Sequence, residues 1–181
     1  GFFAKAGLDV QIDILGTGPA VISAVSAGTY DFGAANPVSI AQAHVRGLPL
    51  VIVAPGAVHV KGIPDDGLMV PANSTIKSAK DLEGKTVAVT TVGGLGALAL
   101  QTWIARSGAD VKQVKFTEIP FASMGAALEQ GRFDAALMTE PFITASKPKL
   151  KYFVDGYDAI SDHFLVDGWV STESFLAKNP D

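Results

Sequence analysis

The sequence contains no cysteine, which removes disulfides, thiol nucleophiles and thiolate metal sites together. That absence leaves the compartment open, because cytoplasmic proteins and disulfide-free exported proteins look alike in this respect. Runs of Lys or Arg are also missing, and 14 basic against 18 acidic residues give a formal net charge of -4. Binding to nucleic acid depends on neutralised phosphates, so no nucleic-acid partner is expected. No apolar stretch reaches the roughly 18 residues that a membrane-spanning helix needs. No secretory leader is visible either. The three histidines, His44, His59 and His163, stand in no recognised metal-binding or metalloprotease spacing. Neither a resident metal nor a cofactor is expected from them.

What is present is an ordinary globular composition. Of 181 residues, 48% are hydrophobic and 18% charged, so disorder is excluded and a buried core expected. Short β-branched runs alternate with Ala-rich stretches, the pattern of βαβ units on a mostly parallel sheet. A strand is predicted over Leu8 to Leu15, followed by Gly16-Thr17-Gly18 and a helix from Pro19 to a stop at Gly28. Tyr30 to Ala34 reads as a strand, and Asn36-Pro37 as the capped start of a helix that stops at Gly47. Further strands are predicted at 50–54, 68–70, 86–90, 114–119, 133–138, 152–154 and 168–171. Helices are predicted at 95–107 and 123–130, and another opens at Thr139-Glu140-Pro141.

An internal echo runs through this pattern. Ala24, Gly28 and Asp31 recur as Ala127, Gly131 and Asp134 at the same spacing. Asp9-Val10 precedes the first copy and Asp110-Val111 the second. Asn36-Pro37 closes one and Glu140-Pro141 the other. Each copy reads as strand, helix, glycine stop, strand and a new helix start, which points to two lobes of similar build or to the ordinary likeness of one βαβ unit to another. Open α/β sheets bind ligands beyond the carboxyl ends of their strands, so facing lobes would enclose a small molecule.

Several stretches carry a family resemblance. Gly1-Phe2-Phe3, with Gly7-Leu8-Asp9-Val10, resembles the opening of solute-binding proteins of ABC importers. The branch is the SsuA/NMT1-like group for nitrate, sulfonate, taurine and thiamine-precursor uptake. Ala27-Gly28 with Asp31-Phe32-Gly33, and Asp81-Leu82 with Gly84-Lys85 and Val87-Ala88-Val89, fit in register. So do Gly131 with Asp134-Ala135, Glu140-Pro141, and Phe175-Leu176 with Asn179-Pro180. The resemblance implies an α/β, two-lobed type II periplasmic-binding-protein fold, with mostly parallel sheets flanked by helices. Lobe one would comprise residues 1–83 plus 165–181, and lobe two 84–164. It also implies a monomer, with a small-molecule solute and the membrane permease of an importer as partners. The location implied is periplasmic, or extracytoplasmic and lipid-anchored. Measured against the family, both ends read as cut from a longer protein, so that this chain would lack the family's first strand and closing helices.

The candidate site follows from helix starts. Thr91, Gly93, Gly94 and Leu95 lie in a glycine loop between a strand and a helix, where free N–H groups favour an acceptor or anion. The loop matches neither a P-loop nor G-x-G-x-x-G, and a plain tight turn is the other reading. Thr17 and Gly18 form the equivalent loop in lobe one, with an N-cap as the alternative. Asn36 and Pro37 either cap a helix or turn the Asn amide to a ligand. Glu140 and Pro141 match a family hinge position where Thr139 replaces the frequent Trp. Glu140 there either accepts from a ligand or complements the helix dipole. Phe121, Ser123 and Trp169 are lesser candidates.

No Ser-His-Asp arrangement or paired carboxylates can be assembled, so no catalytic residue is expected. Enzymes that the resemblance brings to mind on this fold rely on cysteine, which this chain lacks. No Arg or Lys lies in a candidate loop, which disfavours a multiply charged anion. The expected solute is a small organic anion, a sulfonate or carboxylate. A pyrimidine or thiamine precursor is the alternative, as is an effector-sensing domain of a transcription regulator with this fold.

Overall fold

A computed structural model describes residues 1–146 and 149–180. Residues 147 and 148, within the expected second lobe, and Asp181, the end of the expected return to lobe one, lie outside the described residues. Two sheets organise the chain. The first holds β1 (Gly33–Ala35), β8 (His163–Thr172) and β2 (Leu50–Val60), in that order. The second is five-stranded, ordered β5 (Lys115–Glu118), β4 (Thr86–Val89), β6 (Ala135–Thr139), β3 (Asp66–Pro71) and β7 (Leu150–Val154).

Strand direction differs between them. β4 runs parallel to both β5 and β6, as βαβ crossovers require. β3 joins this centre antiparallel to β6, β7 pairs antiparallel with β3 in turn, and the three-stranded sheet is antiparallel throughout. The central strands β4 and β6 are buried on both faces, with Val87, Ala88, Ala135 and Ala136 all inaccessible. Alternate residues serve opposite faces: Leu68, Val70, Val87 and Ala135 face one core with Leu100 and Ile104 of α4 (Leu95–Arg106). Met69, Ala88 and Ala136 face the other, with Met124 and Leu128 of α5 (Phe121–Glu129) and Ile143 of α6 (Phe142–Ser146). The three-stranded sheet buries Ala35, Leu50 and Val170 beneath α2 (Gly18–Ser26) and α3 (Pro37–Val45). The remaining helices are α1 (Phe2–Lys5) at the start and α7 (Glu173–Lys178) after β8.

The two echoed glycines do the same job. Gly28 and Gly131 have φ of 73° and 70°, the left-handed conformation that ends a helix, after α2 and α5. Other expectations are corrected. Leu8 to Leu15 forms no strand, and Leu8, Val10, Ile12 and Ile14 are exposed at 57, 43, 72 and 95%. Strand pairing needs a hydrogen-bonded neighbour, and none of the described residues lies in ladder register with this segment. The division at residue 83 would separate β3 from β6 and β7, to which it is hydrogen-bonded. β2 and β8 are also much longer than the expected 50–54 and 168–171.

Leu100 is inaccessible and central to the larger core. Leu100→Ala is expected to cost about 2–5 kcal/mol in urea unfolding. Val45→Ala, at a site 87% exposed, should change stability by less than about 0.5 kcal/mol.

Candidate ligand-binding site

Strand ends place the predicted residues other than Thr17 and Gly18. β1 leads to Asn36-Pro37, β4 to the Thr90–Leu95 loop, β5 to Ile119-Pro120 and β6 to Glu140-Pro141. In the first sheet's layer, Thr17 caps α2 and its Oγ1 accepts from the Ala20 N–H at 3.4 Å. Asn36 caps α3, its Oδ1 accepting from the Ser39 N–H at 2.9 Å. Both residues therefore perform the capping role that their sequence context allowed. Pro37 and Pro19 sit within the first turns, where a missing N–H costs nothing.

These two helix starts lie against each other. A Cβ on Gly18 would stand 3.2 Å from Ser39 Oγ and 3.4 Å from Asn36 Nδ2, so glycine permits the approach. Ser39 is 4% exposed and its hydroxyl has no hydrogen-bond partner. A buried, unpaired hydroxyl carries a desolvation cost that a partner would relieve. Sequence reading passed over Ser39, although its place three residues after a capping Asn, on a helix facing Gly18, is a usable signal.

The second layer contributes the glycine loop. The Gly94 N–H donates to Thr91 O at 3.1 Å and Gly93 has φ 80°, so the loop turns tightly and Gly94 caps α4. Leu95 is buried with Ala99 and Tyr157, which makes its side chain structural. The loop's Val92 N–H donates to Glu118 Oε1 at 2.6 Å. Gln42, on α3, reaches across and donates from Nε2 to Gly93 O at 3.3 Å. A Cβ on Gly16 would stand 3.7 Å from the ring of Pro120. The loops at 16–18 and 36–39 thus face the loops at 91–95 and 120 from opposite layers. Nothing in the spacing of Gln42 announced this contact.

Glu140 stands apart from that group. Its carboxylate accepts from the Thr144 N–H at 3.0 Å and from Thr144 Oγ1 at 2.8 Å, completing the first turn of α6. Its backbone N–H donates to Asp65 O at 2.8 Å, and Thr139 Oγ1 donates to the same carbonyl at 3.2 Å. The Glu140-Pro141 peptide is cis. This corner joins β6 to the segment that carries the chain from β2 into β3. Phe121 stacks on Phe142 at 5.8 Å between α5 and α6, and Trp169 is 44% exposed on β8.

At that corner the electrostatics are acidic. Burial pushes the Asp66 carboxyl up to about 7, opposed by a hydrogen bond from Thr139 and reinforced by Asp65. The predicted loops themselves hold no Lys or Arg, so their positive character comes from helix starts.

Comparison with known proteins settles what kind of chain carries this arrangement. The NMT1/THI5 like family model matches residues 1–181. The chain belongs to the NMT1/THI5-like family. A Brucella abortus binding protein is 25% identical over 186 residues, covering all of this chain and 55% of that protein. An aliphatic sulfonates-binding protein of Escherichia coli is 27% identical over 129 residues, covering 71% of this chain and 39% of its own length. The periplasmic nitrate-binding protein of Synechocystis PCC 6803 superposes with a TM-score of 0.77 at 18% identity, covering 99% of this chain and 51% of that one. The chain thus spans about half the length of the relatives it matches. These relatives are named as binding proteins, and the chain shares the α/β architecture of periplasmic binding proteins.

Asp66 gives a pH dependence with a definite sign. Its native pKa lies above the ordinary 3.8, so the folded state retains a proton that the unfolded chain releases in between. Stability should fall as pH rises from about 4 towards about 7 and level off above, by this group alone. Asp66→Asn should flatten that slope in urea midpoints measured across the window.

Proposed function

We propose that the protein captures a small organic anion, a sulfonate or carboxylate, between its two layers and delivers it to the membrane permease of an ABC importer. The reading places it outside the cytoplasm, in the periplasm or held there by a lipid anchor, and acting as a monomer. One observation carries it: the buried Ser39 hydroxyl, without a partner, lies where the starts of α2 and α3 meet. Free N–H groups at helix starts and a waiting hydroxyl suit the oxygens of a singly charged group. The absence of Lys and Arg from the predicted loops argues against a more highly charged ligand.

Within this reading, lobe one is residues 1–60 with the return from 163, and lobe two is 66–154. The segments 61–65 and 155–162 act as hinges. Thr17, Gly18, Asn36 and Ser39 then contact the ligand from one lobe, and Thr91, Gly93 and Gly94 from the other. Pro37 and Leu95 support them, while Glu140 and Pro141 hold the hinge corner. The Gln42 to Gly93 bond latches the lobes together. A neutral pyrimidine is the second reading, favoured by the same uncharged loops and by the Asn36 amide.

A thermal-shift screen of the intact protein against sulfonates, nitrate, aromatic carboxylates and pyrimidines tests this. A ligand at about 100 times its dissociation constant adds about 2.7 kcal/mol, a shift of several degrees. The expected result is a shift with a sulfonate or carboxylate that Ser39→Ala and Gly94→Val reduce. A shift with pyrimidines alone would select the second reading, and none across the panel would remove both.

A further inference from the structure

The chain crosses twice between its sheets, and a buried histidine sits where the first crossing begins. His59, near the end of β2, is 1% exposed. Its ring packs against Tyr157 and Phe164, at centroid distances of 5.7 and 5.2 Å. Nε2 lies 3.2 Å from Asp158 Oδ1. Nδ1 faces Asp155 Oδ2 at 3.8 Å, too far for a hydrogen bond, and has no partner.

Asp155 is itself 9% exposed. Burial raises its carboxyl above the ordinary range, against the pull of the Tyr157 N–H at 2.8 Å and of His59. A desolvated carboxylate beside an unsatisfied ring nitrogen is a pair of costs that a cation relieves. One donor atom from each of His59, Asp155 and Asp158 lies within 4.8 Å of the other two. A pocket of about 240 Å³, bounded by Gly62, Ile63, Pro64 and Tyr152, reaches both carboxylates. It provides an entry path and room for a water as fourth ligand.

We propose that His59, Asp155 and Asp158 form a zinc site at the crossing between the two sheets. The donor set selects the metal. Zn²⁺ takes imidazole nitrogen and carboxylate oxygen at about 2.0–2.2 Å in a four-coordinate shell. Mg²⁺ and Ca²⁺ call for six or more ligands, nearly all oxygen. A zinc ion here ties β2 to the segment between β7 and β8, and so stiffens both crossings. The motif is invisible in the sequence because His59 and Asp158 are 99 residues apart.

Isothermal titration of Zn²⁺ into the metal-free protein should show one site. Its affinity should fall at least about tenfold in Asp158→Asn, whose native side chain is 38% exposed and tolerant of the change. Asp162→Asn should leave it unchanged, because Asp162 lies on the same segment but pairs with Lys61 at 2.9 Å. Co²⁺ in the site should show the visible absorption of tetrahedral coordination, bleached in both Asp158→Asn and His59→Gln. No binding to the wild type, or equal affinity in wild type and Asp158→Asn, overturns the assignment. Neither measurement involves a solute, so its failure leaves the transport reading intact, and the reverse holds too.

Discussion

The long antiparallel pairing of β2 with β8 is the constraint on which the two-layered arrangement depends. It runs from Leu50 opposite Thr172 to Val60 opposite His163, with register shifts at three places along it. One end of this ribbon lies in the three-stranded sheet, where Leu50 and Val170 join the core under α2 and α3. The other end reaches the crossings, where His59 and Phe164 meet Tyr157. Bulges twist and bend a strand pair, so one ribbon serves both a rigid layer and the bend leading out of it.

Packing between the layers is correspondingly slight. Leu95, Ala99 and Tyr157 from one side meet Val38, Phe164 and Val166 from the other, beside the polar Gln42 contact. The cores within each layer are larger and drier. A weak interface leaves two well-packed bodies that are held together less firmly than each is held within itself. Stability is supplied elsewhere, so polar helix starts and an unpaired hydroxyl are tolerated there. The acidic corner around Asp65, Asp66 and Asp155 sits at the crossings, where charge and burial conflict most.

Much of this was legible in the order of residues. Helix starts at Thr17, Asn36 and Gly94 could be located because capping and glycine chemistry are local, acting over three or four residues. The central strands over 86–89 and 135–139 were legible because burial on both faces leaves apolar runs. The glycines at 28 and 131 marked two helix ends through a backbone conformation that few other residues adopt.

What the residue order alone determined, then, was local: where helices begin and end, which runs are apolar enough to be central strands, and the absence of thiol chemistry. Tertiary structure decided whatever needed a partner distant in the chain. It left Leu8 to Leu15 unpaired, since a strand is defined by its neighbour. It moved β3 into the second sheet through bonds to residues some seventy positions away. It turned Glu140 to Thr144 and brought Gln42 to Gly93. It also gathered His59 with Asp155 and Asp158, because side chains converge by packing and not by spacing along the chain.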